Sequence, residues 1–282
     1  MKDIILSNGR ITAHTNAFGA ELKGLEMDGL EYLWQGDPAY YDRTSPTIFP
    51  IMGRFLSDTY YVGDKAYHME IGGFAKDRNF AVEEQSGDSV TFILCDDERT
   101  RKLFPFAFRL RVTYALEEKG VRVTYRLENP GDGPLPFCFA CHTAYRWPLE
   151  GDDPNTHYLR FEKQEDIASF NPFNWKDPSF IRAGYRPLSH SLFENFTRSF
   201  TDIQSEYIEY GSTAGKHGVR IHRGQFPFTA LWTMPDENAR LICIEPATSV
   251  HAGGATTMED RMGSLTVMPG ESCERSFSIE LF

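Results

Sequence analysis

The sequence predicts an all-β protein, a large antiparallel β-sandwich with little helix. Three observations predict it. Turn dipeptides such as Asn8-Gly9, Asp28-Gly29, Gly63-Asp64 and Gly87-Asp88 recur between short apolar runs, and such pairs tolerate the positive φ that tight hairpins demand. Side chains alternate with period two, most clearly Leu110, Val112 and Tyr114 against Arg109, Arg111 and Thr113. Helical periodicity is nearly absent, and there is no βαβ pattern, fixed-period repeat or low-complexity linker.

In chain order, Asn8-Gly9 separates Asp3–Leu6 from Ile11–His14, and Asp28-Gly29 separates Leu22–Met27 from Leu30–Trp34. Tyr60–Val62 with Ala66–Met69, and Phe80–Glu84 with Val90–Leu94, read as two further hairpins. The one short helical candidate is Asp97–Leu103, stopped by Pro105. Phe108–Leu116 and Val121–Leu127 flank a turn at Glu117–Gly120. From about Gly151 to Asn195 the chain is rich in Pro, Asn, Asp and aromatics, which suits long loops around irregular strands. Strands resume at Glu206–Tyr210, Gly218–His222, Phe228–Thr233, Leu241–Glu245, Ser264–Met268 and Cys273–Leu281. The expectation is a single domain over residues 1–282.

Hydrophobic residues make up 41% of the 282 positions and aromatics 14%, enough for a sizeable core. The formal net charge of −11, with no Lys/Arg cluster, argues against nucleic acid or an anionic membrane as partner. The Ile4-Ile5-Leu6 run ends at Ser7-Asn8-Gly9, far too early for a signal-peptide core. No stretch approaches the ~20 apolar residues of a membrane span. Five cysteines, an odd number, suit reduced thiols. These features predict a cytoplasmic protein, a monomer or homodimer.

Two strand ends carry ionisable groups. In Leu135–His142, Cys138, Ala140 and His142 share one face, and all but His142 are apolar or small. In Arg240–Glu245, Leu241, Cys243 and Glu245 share a face, and Pro246 is expected to close the strand. Burial can tune such groups toward neutrality, although a lone histidine is more often a hydrogen-bonded structural residue. Thr47–Arg54 is an apolar run ending in Gly-Arg, whose planar guanidinium could hold a carboxylate or sugar hydroxyls. The Cys138-x-x-Cys141 spacing is discounted as a metal or redox site. Strand geometry sends the two thiols to opposite faces, and no second Cys/His pair completes a zinc set.

Glu31-Tyr32-Leu33-Trp34-Gln35-Gly36-Asp37, Phe49-Pro50-Ile51-Met52-Gly53-Arg54, Gly73-Phe74-Ala75-Lys76-Asp77-Arg78 and Ile242-Cys243-Ile244-Glu245-Pro246 occur in this order along nearly the whole chain. Together they resemble galactose mutarotase-like proteins, the aldose 1-epimerase superfamily, and within it the LacX-like branch. The resemblance implies a β-supersandwich whose open face holds a small sugar, with interconversion of α and β anomers and neither cofactor nor metal. It assigns His142 as general acid, Glu245 as general base and Arg54 as a substrate contact, and Lys76 in the third block is a further candidate for substrate binding. The pair is expected on opposite sides of a sugar-sized gap, with Arg54 on its wall. Three positions depart from the family pattern: Gly72, where a histidine is usual, Phe196, where an Asp is, and Ala247, where a Trp is. His68, His157 and His251 are the histidines available to replace the first. A phosphorylated sugar would need more cations, for which Lys76, Arg78 and Arg182 are candidates. The alternative is a non-catalytic carbohydrate-binding or sugar-sensing protein on the same fold.

Overall fold

The computed structural model describes residues 3–282 apart from 152, 171–175, 194–196 and 251–253. Every hairpin expected in the first half forms. Ile4–Ser7 pairs with Ile11–Asn16, Glu21–Met27 with Leu30–Glu31, and Thr59–Val62 with Lys65–His68. Ala81–Gln85 pairs with Ser89–Cys95, and Arg109–Glu117 with Gly120–Glu128. The helix Glu98–Leu103 also forms, because Asp97 accepts hydrogen bonds from the Arg99 and Thr100 amides and caps it.

Two antiparallel sheets dominate. The nine-stranded sheet runs, in spatial order, Tyr185–Pro187, His157–Phe161, Tyr207–Ser212, Gly218–His222, Ser272–Leu281, Gly120–Glu128, Arg109–Glu117, Ser89–Cys95 and Ala81–Gln85. The eight-stranded sheet runs Lys176–Ile181, Ile167–Phe170, Arg198–Phe200, Phe228–Trp232, Leu241–Ala247, Ala140–Cys141 and Thr47–Ile48, with Ala144–Arg146 pairing beside Ala140–Cys141 on the same neighbour. Alternation explains how the sheets meet. Leu110, Val112, Tyr114, Val123 and Tyr125 turn inward, as do Phe139, Tyr145, Ile242 and Ile244 from the other sheet, and all join one core. Tyr125 stacks on Phe139 across it with ring centroids 5.3 Å apart. The odd-numbered partners of the first sheet face out, where Arg111 bridges Glu83 and Glu128 at 2.5 and 2.9 Å.

The outer face of the eight-stranded sheet is different, because it carries a second apolar layer. Leu241 and Cys243 pack with Ala144 and Ala239, covered by Trp34, Tyr41 and Trp232. Ala247 packs with Ile48, Met52, Ala140 and Ala230. Glu245 lies on this same face, between the two clusters.

Two local expectations change. Leu135–His142 is not one strand but two short pieces, Leu135–Phe137 and Ala140–Cys141. Between them the Cys138 amide donates to Pro50 O (2.7 Å) and the Phe139 amide to Thr248 Oγ1 (2.9 Å), so the backbone leaves its ladder. Facing survives the break: Phe137, Phe139 and Cys141 enter the main core and Ala140 the outer cluster. Nor does Pro246 close its strand, which runs on to Ala247 with Pro246 opposite Thr229. The Ile244 and Thr248 amides donate toward Thr143 and Phe139. By period two the N–H that Pro246 lacks would point the same way, to the edge of the break around His142, where the ladder has already ended.

Candidate active site

Two sequence blocks build one wall of a cavity by docking on each other. The amides of Phe74 and Ala75 both donate to Phe49 O, at 3.0 and 3.2 Å. Only glycine fits at 73, since a Cβ there would sit 2.2 Å from that carbonyl. The following turn, Ala75–Asp77, carries Lys76 onto the wall. The cavity encloses about 490 Å³, within the roughly 300–1,000 Å³ range of small-molecule sites. Tyr41, Arg43, Met52, Gly72, Lys76 and Trp232 line it, together with His142 and Glu245.

His142 and Glu245 meet here. Nε2 of His142 lies 3.3 Å from Glu245 Oε1. The carboxyl is 1% exposed and no hydrogen-bond donor satisfies Oε1. Burial alone pushes its pKa from 4.5 up to about 8, because the charged form has lost its water and gained no hydrogen bond in exchange. On the other side of the imidazole, Nδ1 lies 3.2 Å from the Tyr41 hydroxyl. The ring packs 5.3 Å from Tyr41 and 5.7 Å from Trp232, centroid to centroid. Burial holds the Tyr41 phenol well above its ordinary pKa, so it stays neutral.

The pair is therefore in contact rather than across a gap. The reason is topological: the strand of Glu245 pairs with both Ala140–Cys141 and Ala144–Arg146, the segments that bracket His142. Lys76 lines the cavity as expected, its ammonium held by Gly73 O (3.0 Å) and Asp77 Oδ2 (2.6 Å). Arg54 does not. Its side chain is 55% exposed and lies 3.8 Å from Asp58, because Gly53 turns the chain at φ +69° and lines the cavity in its place.

Neither Arg78 nor Arg182 lines the cavity; Arg43 does, with hydrogen bonds to Lys76 O (3.1 Å) and Asp77 (2.6 Å). Of the departures, Gly72 lines the cavity and Ala247 packs beneath it in the outer cluster. Phe196 and His251 fall outside the described residues. His68 is exposed on its hairpin, and His157 is buried, accepting from the Leu149 amide at 3.2 Å. Neither stands at the cavity.

Sequence reasoning missed Tyr41, Arg43 and Trp232. Trp232 lies opposite Cys243, and Ala230 lies opposite Glu245. Trp232 thus shares the face of Glu245, but this becomes visible only once the register is known. A larger, open depression of about 920 Å³ lies at Glu31, Trp34, Arg146 and Arg240. Its part-buried carboxyl, Glu31, accepts the Leu25 and Leu33 amides, unlike that of Glu245.

One set of potential metal donors occurs among the described residues, with His142, Cys243 and Glu245 ligand atoms within 4.8 Å of one another. Burial pushes the Cys243 thiol well above its ordinary pKa, which withholds the thiolate a metal would need. The two thiols of the C-x-x-C spacing part as expected. Cys141 contacts Ser45 and Thr143 at 3.2 Å each, whereas Cys138 faces Arg261 and Ser249. All five cysteines are free. No helix among the described residues is long and apolar enough to cross a membrane.

The two large antiparallel sheets define a β-supersandwich of the galactose mutarotase-like kind. The chain matches the Aldose 1-epimerase family over residues 2–274 and belongs to it. Within the family it falls in the LacX-like branch. It is 27% identical to "Protein LacX, chromosomal" of Lactococcus lactis subsp. lactis, over 99% of each chain. A galactose mutarotase-like protein from Lactobacillus casei superposes with a TM-score of 0.92 at 27% identity, covering 100% of both chains. A galactose mutarotase related enzyme from Lactobacillus acidophilus gives 0.91 at 25%, covering 100% of this chain and 97% of that one.

Proposed function

We propose that the protein is a cofactor-free aldose 1-epimerase that interconverts the α and β anomers of a hexose or modified hexose as a single domain. The contact between His142 and an almost fully buried Glu245 at the base of a sugar-sized cavity carries the reading. The anomeric hydroxyl and the ring oxygen are bonded to the same carbon, so a base and an acid that serve both must themselves be neighbours. Glu245 takes the proton of the anomeric hydroxyl while His142 Nε2–H gives one to the ring oxygen. The C1–O bond of the ring breaks as C1 becomes an aldehyde. Rotation about C1–C2 and closure with the roles reversed give the other anomer.

Opening turns an ionised Glu245 and a protonated His142 into two neutral groups, and closing restores them. The pair must therefore lie close in energy in both forms. A carboxyl raised to about 8 beside an imidazole meets that demand. Trp232 offers an apolar ring surface, and Lys76 and Arg43 offer donors for hydroxyls or for an acidic substituent. Exchange between anomers, followed by NMR or polarimetry over free, phosphorylated and acidic sugars, tests the reading. At least one sugar should anomerise faster with enzyme than without. Tight binding of a sugar with no acceleration would make the protein a sugar-binding one.

A further inference from the structure

We propose that Tyr41 is a positioning residue for this reaction: its hydroxyl oxygen holds the Nδ1–H of His142, so that Nε2 alone exchanges the proton. The inference rests on the acid–base reading above but adds a residue and a tautomer to it. Tyr41 is clamped from three directions. Its carbonyl accepts the Trp34 indole N–H at 2.7 Å, and its amide donates to Asp37 O at 2.9 Å. Its ring meets the edge of Trp232 with centroids 5.4 Å apart. The hydroxyl is thereby fixed 3.2 Å from Nδ1 while Nε2 faces Glu245.

The tautomer follows from the two neighbours together. With the carboxyl protonated up to about 8, the resting pair places the acid proton of Glu245 against a bare Nε2. A neutral imidazole whose Nε2 is bare carries its proton on Nδ1, where the Tyr41 oxygen accepts it. A carboxylate in that position would stabilise the imidazolium and weaken it as an acid. A neutral phenol oxygen is a poorer acceptor, and it orients the ring without removing the acidity needed to protonate a ring oxygen. The other titratable and charged groups near the imidazole or lining its cavity are consistent with this. Cys243 is held protonated by burial. Arg43 and Lys76 are each hydrogen-bonded to Asp77, and Asp42 lies on the same wall.

Nitrogen-15 NMR of the histidine side chains in the full chain tests the assignment without requiring turnover. Near pH 7, wild-type His142 should show a protonated Nδ1 and a bare Nε2. Tyr41→Phe, which keeps the ring, should lose that fixed pattern while its melting temperature stays close to wild type. In anomerisation, Tyr41→Phe should lower kcat about 10-fold, leave KM within about 2-fold, and shift the acidic limb of the pH profile. An Nε2–H tautomer in wild type, or a tautomer pattern unchanged in Tyr41→Phe, overturns the proposal. The expected NMR result from a protein that accelerates no sugar's anomerisation would uphold the tautomer assignment and sink the reaction instead.

Discussion

Two glutamates on the two large sheets are almost equally buried, Glu209 at 2% exposure and Glu245 at 1%, yet their surroundings are opposite. Glu209 is surrounded by donors: the guanidinium of Arg160, that of Arg220 at 2.9 Å, and the Tyr158 hydroxyl at 3.0 Å. Glu245 has a single imidazole beside it and an oxygen that no donor satisfies. Glu21 and Glu165 follow the pattern of Glu209, accepting from Thr44, Ser45 and Gln204 amides among others. Burial alone is therefore an ordinary event in this protein, handled by supplying partners. The carboxylate left without them faces the cavity. An unsatisfied buried group is costly to keep, and its cost is explained if the proton it holds is used.

The largest expected effect separates the two by function. Glu245→Gln should lower kcat for anomerisation about 100-fold or more, with sugar affinity little changed, because an amide still hydrogen-bonds a hydroxyl. Loss of affinity with kcat intact would assign Glu245 to binding alone. Glu209→Gln should leave kcat unaffected.

Next comes pH. Activity should follow a bell, since the working pair carries one proton between two groups. It should fall above about 8, as the last of these leaves Glu245. Stability carries the same signature. The folded pKa of Glu245 lies above its unfolded value, so its contribution is full below 4.5 and is lost as pH rises through about 8. Urea unfolding at pH 5 and pH 9 should show this loss, and Glu245→Gln should reduce it. An identical pH dependence in the variant would count against the raised pKa.

For Glu209 the expected change is in stability. Glu209→Gln should cost about 1–2 kcal/mol in urea unfolding. It weakens charge-assisted hydrogen bonds, but both arginines are partly exposed and solvent screens them. The smallest effect belongs to Arg54. With its side chain turned outward, Arg54→Ala should change stability by less than about 0.5 kcal/mol and KM by less than about 2-fold. A large rise in KM would show that Arg54 folds inward when sugar binds.

Much of this was legible in the sequence because it is local. Asn-Gly and Asp-Gly turns, Asp97 as a cap, and the alternation through Arg109–Glu117 each depend on neighbours a few residues away. His142 and Glu245 stood out for another reason, since each ends an otherwise apolar run and the family resemblance pairs them. Trp232 and Tyr41 were not, because their role depends on register and on where a loop lands. Arg54 misled because a positive-φ glycine decides its direction. The same conformation bears on the departure at position 72. Gly72 has φ +73°, and a Cβ there would press within 3.2 Å of Ile48. In this backbone the usual histidine would be strained, so its absence is a difference in chain path as well as in side chain.

The pairing of Leu241–Ala247 with Ala140–Cys141 joins segments about a hundred residues apart, and Tyr41 and Lys76 come from two further stretches of the chain. No single hairpin contains the site, whose lining residues run from Tyr41 to Glu245. Contacts of such long sequence separation are slow to form, since the entropy of closing the loop comes before any reward. During refolding, catalysis should therefore reappear only with the closing of the eight-stranded sheet, later than most of the β-structure seen by circular dichroism.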